Sequence, residues 1–193
     1  PLPTSATIKA KSKVTGLVDK GADKGALILT ERTLKDAESD LDLATLTSTT
    51  FARGNGGYDG PSDEAPRPHK VPEREPDFAV DLTTLDMAAL IYRLSGDYNP
   101  LHASPSVAKA AGFPKPILHG LCSLGVAGHA ILKGCCDYDA KRLKSLQLRF
   151  SSPVYPGETV RTEIWRDGAN ISFKSKIVER DVVVLDNGHA TVE

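Results

Sequence analysis

Residues 119–132 read as the longest helical run of the chain, apolar on most of its sides, and strand-like segments follow. That order constrains the fold more than any other feature. A helix that is apolar nearly all round belongs inside a core. Segments 143–150, 159–167, 169–180 and 181–192 alternate Val, Ile, Leu and Phe with polar residues, and Asp167-Gly168 marks a tight hairpin. Consecutive antiparallel strands wrapped around one long helix make a two-layer α+β fold.

Upstream, residues 6–18, 26–34 and 43–53 also read as strands, split by the turn-forming 19–25 and the charged 35–42. No helix fits this part. Residues 54–79 carry Gly54, Gly56, Gly57 and Gly60, then Pro61, Pro66, Pro68, Pro72 and Pro76, with no periodic apolar face, and so read as a linker or crossover. From Val80 the pattern turns helical, with Leu82, Leu85, Ala89 and Leu90 on one stripe, Asp81 or Thr83 as a cap and Gly96 as the stop. Residues 104–111 form a short amphipathic helix ended by Gly112, and Pro114 and Pro116 enforce an extended approach to His119. The expected division is therefore a strand-only unit over 1–53, a linker over 54–79 and a complete unit over 80–193.

Composition narrows the function classes. The net charge of −1 offers no footprint for nucleic acid, and no apolar run reaches the ~20 residues of a membrane span. Cys122, Cys135 and Cys136 are odd in number with one adjacent pair, which is no disulfide framework and favours a reducing compartment. Cys135-Cys136 also lacks metal-ligand spacing, and no metal site is expected. The chain starts Pro1-Leu2-Pro3-Thr4, without Met or a signal-like core, so it is expected to be part of a longer product.

The chemistry concentrates in Ser95-Gly96-Asp97-Tyr98-Asn99-Pro100-Leu101-His102. Pro100 fixes its own φ and keeps Asn99 out of the helical region, so the bend returns His102 towards Asp97. A carboxylate and an imidazole on one rigid turn can share a water and move its protons near neutral pH. Taken singly, Asp97 is an Asx-turn residue and His102 a loop residue. Asn99 serves the turn and equally suits holding the water or His102. Leu118-His119-Gly120-Leu121 then opens the long helix, where a first-turn N–H has no intrahelical partner.

Together these segments resemble the signature of the R-specific (type 2) enoyl-CoA hydratases, the MaoC-like branch of the hot-dog fold, in its double form. The resemblance implies one complete C-terminal hot-dog unit and a partial N-terminal one. It implies reversible hydration of trans-2-enoyl-CoA to (3R)-3-hydroxyacyl-CoA in fatty-acid β-oxidation, in a peroxisome if the source is eukaryotic and otherwise in the cytoplasm. Asp97 and His102 then form the catalytic pair, and the Gly120 N–H holds the enolate-like thioester oxygen. Tyr98, Asn99, Pro100, Leu101 and Phe150 fall at substrate-binding positions, as does Lys20, which on its own sequence is a solvated turn lysine. Phe150 on its own is a core aromatic, and His119 is a structural residue more than a catalytic one. No cofactor is expected beyond the CoA of the substrate. The expected partners are that acyl-CoA and a second copy of the chain, or a missing N-terminal segment. Two rivals share the fold: an acyl-CoA thioesterase and a non-catalytic acyl-CoA binding module.

Overall fold

The computed structural model describes residues 2–62 and 67–193 and divides the chain into two compact units, which part between Arg67 and Pro68. Pro66, expected in the linker, lies outside the described residues.

The first unit is a three-stranded antiparallel sheet of β1 (Ile8–Asp19), β2 (Ala26–Asp36) and β3 (Asp42–Ala52), in that order. Thr, Val, Ile and Leu dominate these strands, and both turns have the expected chemistry. No helix occurs among its described residues. Most of its side chains are exposed, and burial concentrates at Val18, Asp19, Gly25 and Ala26. The glycine-rich stretch after β3 is tied back to the end of β1. Asp19, 6% exposed, accepts hydrogen bonds from the backbone N–H of Gly21 (2.8 Å), Gly57 (2.7 Å), Asp59 (2.9 Å) and Gly60 (3.4 Å). Gly57 has φ +82°, a conformation that costs glycine least. Those bonds hold the Asp19 carboxyl below the usual carboxylate range, the Gly57 bond contributing most.

The second unit carries the hydrophobic core. Its sheet, in the order β4-β6-β7-β8-β5, is antiparallel throughout and joins β4 (Phe78–Thr83), β5 (Leu143–Phe150), β6 (Thr159–Asp167), β7 (Asn170–Ile177) and β8 (Val182–Val192). Three short segments precede β5: helix α1 (Ala88–Arg93), a 3-10 turn (Pro100–His102) and helix α2 (Pro105–Ala110). The long helix α3 (Gly120–Cys135) packs on β4, β5, β6 and β8, so the sheet curls around it. Ala127, Ala130 and Ile131 of α3 join Val160, Ile164, Ile171, Phe173 and Val184 in the core. β6 and β7 close through Gly168, at φ +58°, as the Asp-Gly signal required.

Three expectations need correction. Residues 80–83 are strand, not helix, and α1 starts only at Ala88. Phe78, Val80 and Leu82 turn towards the core at period two, and the Phe78 ring lies over Gly134 of α3. Leu82, Leu85, Ala89 and Leu90 match helical spacing only because a strand residue happens to precede the helix in phase. Neither Asp81 nor Thr83 caps α1, which has no side-chain cap. Asp81 accepts from Arg161 (2.8 Å to Nε), and Thr83 pairs with Thr159 (3.0 Å) across the strands. Finally, α3 is not buried all round: Leu121, 63% exposed, begins an exposed row with Gly125, His129 and Lys133. One sheet covers one side of a helix, and the row faces away from it.

Residues 67–77 are not free linker either. Trp165 Nε1 donates to the Arg74 carbonyl (2.7 Å), Asn187 Nδ2 to the His69 carbonyl (2.6 Å), and His69 Nε2 pairs with Ser172 Oγ (2.8 Å). Asp77 accepts from Arg74 and from the Arg166 N–H, which lowers its pKa to about 2.

Candidate active site

The site is assembled by the turn between α1 and α2 and by the start of α3, all within the second unit. After α1 the chain unwinds through Leu94 and Ser95 to Gly96, whose φ of +107° reverses its direction. The Asp97 carboxylate accepts the Asn99 N–H (3.2 Å), and the Asn99 side chain accepts the Leu101 N–H (3.0 Å). Asn99 is thus the cap of the 3-10 turn that Pro100 begins. Two nested Asx bonds bring His102 back towards Asp97, as the Asn-Pro bend implied.

His102 is oriented by its Nδ1, which donates to the Ile117 carbonyl (2.8 Å). A carbonyl can only accept, so Nδ1 carries the proton and Nε2 is left as a free base in the neutral ring. The Ile117 carbonyl is available because Pro114 and Pro116 keep that segment extended.

His119 is 1% exposed, and its ring stacks on His102 with centroids 3.8 Å apart and planes at 26°. Its Nε2 faces the Asp97 carbonyl at 3.3 Å, while its Nδ1 has no hydrogen-bond partner. Burial, then the neighbouring His102, pushes its pKa down against the pull of that carbonyl. One donor atom each from Asp97, His102 and His119 lie within 4.8 Å of one another. That spacing alone would suit a metal, but stacked imidazoles present their lone pairs side by side rather than towards a common point. His102 Nδ1 and His119 Nε2 are, moreover, committed to carbonyls.

Gly120 is the first residue of α3, and no side chain caps that helix start. The Phe150 ring, at the end of β5, would lie 3.3 Å from a Cβ at position 120. His102, Ile117, Gly120, Phe150, Val154 and Leu185 line a largely apolar cleft of about 290 Å³. His102 also borders a second cleft with Asp86, Leu90 and Lys115.

Of the residues expected from sequence, His102, Gly120 and Phe150 line the one cleft, and Asp97 lies close to His102 and His119 without lining it. Asn99, Pro100 and Leu101 build the supporting turn. Tyr98 is exposed, with the Arg93 guanidinium 5.2 Å from its ring centre. Lys20 is an exposed turn residue of the first unit, next to the Asp19 cluster. Sequence reasoning missed the Ile117 carbonyl and gave no contacts for His119, which it read as structural more than catalytic. The cysteines are unbridged, and burial pushes their thiols up.

Residues 68–188 match the family model described as "MaoC like domain". The chain is 41% identical to 3-hydroxyacyl-thioester dehydratase Y of Mycobacterium tuberculosis over 97% of this chain and 67% of that protein. It is 41% identical to the peroxisomal enoyl-CoA hydratase 2 of Arabidopsis thaliana over 96% of this chain and 62% of that protein. The crystal structure of a MaoC-like dehydratase from Phytophthora capsici superposes with a TM-score of 0.83 at 42% identity, over 96% of this chain and 64% of that one. The chain thus spans roughly two thirds of the length of these relatives.

Proposed function

The chain belongs to the MaoC-like dehydratase family and has its hot-dog fold, and from that membership we propose that it is a hydro-lyase acting on acyl-CoA thioesters. The reaction is the reversible, R-specific syn addition of water to a trans-2-enoyl-CoA, giving a (3R)-3-hydroxyacyl-CoA. The observation that carries this reading is the approach of the Asp97 carboxylate and the His102 imidazole beside the uncapped start of α3.

The thioester carbonyl makes the β-carbon electrophilic. A water held by Asp97 and by His102 Nε2 gives up a proton as it attacks that carbon, and the same pair returns a proton to the α-carbon. Negative charge gathers on the thioester oxygen meanwhile, and the Gly120 N–H, at the positive end of α3, stabilises it. Phe150 lies against the bound thioester. CoA is part of the substrate, and the chemistry needs no other cofactor.

The peroxisomal name of the Arabidopsis relative supports a place in fatty-acid β-oxidation and, in a eukaryotic source, in the peroxisome. A homodimer is the assembly this reading favours. The test is crotonyl-CoA hydration, followed as loss of the enoyl absorbance together with an assay for free thiol and chiral analysis of the product. Enoyl loss without thiol, giving the 3R alcohol, supports the proposal. Thiol release means a thioesterase, the 3S alcohol removes the stereochemical claim, and no reaction leaves a binding module.

A further inference from the structure

We infer that His119 is a positioning residue of this site: an imidazole that holds the Asp97 backbone and the His102 ring in register with Gly120. This rests on the hydration reading above and adds to it a residue with no step of its own in that mechanism.

Three observations meet at this side chain. Its Nε2 lies 3.3 Å from the Asp97 carbonyl, which can only accept, so Nε2 carries the proton. Its ring is stacked on His102 at 3.8 Å between centroids, about the thickness of two rings in contact, so His102 cannot rock towards it. Its own backbone is the N-cap of α3, with φ −59° and ψ 138°, and Gly120 follows it directly. One residue therefore links the carboxylate turn, the imidazole and the oxyanion donor. Tyr92 packs against the same ring at 4.7 Å and fixes it from α1.

The tautomer follows from the surroundings. Nδ1 is buried and faces no partner, so it is the bare nitrogen of the neutral ring. A proton there would place an unpaired N–H and a positive charge in a buried site against His102, and both are costly. The neutral form also leaves the stacked His102 free to take and return a proton without a second charge 3.8 Å away.

Two whole-chain variants separate the contacts. His119→Phe keeps a ring for the stack and loses the donor, whereas His119→Gln keeps an N–H near the Nε2 position and loses the ring. The measurements are kcat and KM for crotonyl-CoA per folded molecule, and the fraction of His102 protonated at Nδ1, from nitrogen-15 shifts of labelled histidine. A misplacement of ~1 Å at a catalytic group costs about 10²-fold. We expect kcat to fall between about 10-fold and that limit in both variants, with KM within about threefold and the His102 Nδ1–H fraction reduced. Unchanged kcat in both variants, or a loss confined to KM, overturns the assignment. If His119→Phe does not fold, His119→Gln decides by the same criteria. If the wild-type chain does not hydrate crotonyl-CoA, the hydration reading fails. The His102 tautomer then decides the positioning role: a shift in the variants upholds it and no shift overturns it.

Discussion

The Gly120 backbone is where the oxyanion claim is most exposed to test. His119, at φ −59° and ψ 138°, already has the conformation that must precede proline, and the first position of a helix tolerates it. Gly120→Pro therefore keeps the fold and deletes the N–H, and kcat should fall by about 10²–10³-fold, the cost of one lost oxyanion donor. Gly120→Ala keeps the N–H, and its Cβ meets the edge of the Phe150 ring at 3.3 Å, so a much smaller loss is expected. Equal activity of the two, with unchanged circular dichroism, would remove the role. Asp19 gives the pH-dependent prediction. Its folded pKa lies below the ordinary 3.8, so its stabilising bonds are complete above that pH and are lost as pH falls through the folded value. The Gly57 amide shift should titrate with a midpoint below 3.8 in the wild type and stay flat in Asp19→Asn; a midpoint at or above 3.8 would contradict the cluster. The closeness of Asp97 and His102 and the place of Gly120 at the start of α3 were legible because the Asn-Pro bend and the helix start are set locally. The contacts of His119 were not, because they are a stack and a bond to residues 17 and 22 positions away, which no local pattern records.

Elements were legible wherever one period prevailed. The three strands of the first unit and β5 to β8 follow from alternation and turn residues, and α3 follows from its apolar run closed in by the proline-held approach. β4 was not legible, because Phe78, Val80 and Leu82 are followed at once by the apolar residues of α1, and a helical stripe can be drawn through both. What decides in favour of a strand is the partner: β6 supplies six paired residues, and Gly134 makes room for Phe78. A Gly134 side chain would have to displace that ring. Gly188 is the stricter case. A Cβ there would enter the contact radius of the Phe173 carbonyl oxygen, which belongs to the β7 backbone and cannot rotate away. Gly188→Ala should force β7 and β8 apart and cost roughly 1–3 kcal/mol, the usual scale of overpacking. Urea unfolding gives this directly, and a change below about 0.5 kcal/mol would mean the strands adjust freely.

At the scale of the molecule the two units differ in how much they bury. The second has a continuous core of large side chains with no exposure, among them Phe173, Ile131 and Ile164, whereas the strands of the first are mostly exposed. Local stability follows buried apolar contact. Amide hydrogen exchange should therefore be fast across β1 and β3 and slow across β6, β7 and β8; equal protection in both units would show that the first is covered in solution. The central claim remains chemical, that one carboxylate and one imidazole work on one water. Its most direct test is crotonyl-CoA hydration by Asp97→Asn, His102→Ala and the double variant, each checked for fold. Removing either member should lower the rate by about 10²–10⁴-fold, and the double variant should lose little more than the worse single, because groups acting as a unit are non-additive. Single variants that keep most of the wild-type rate would contradict the account.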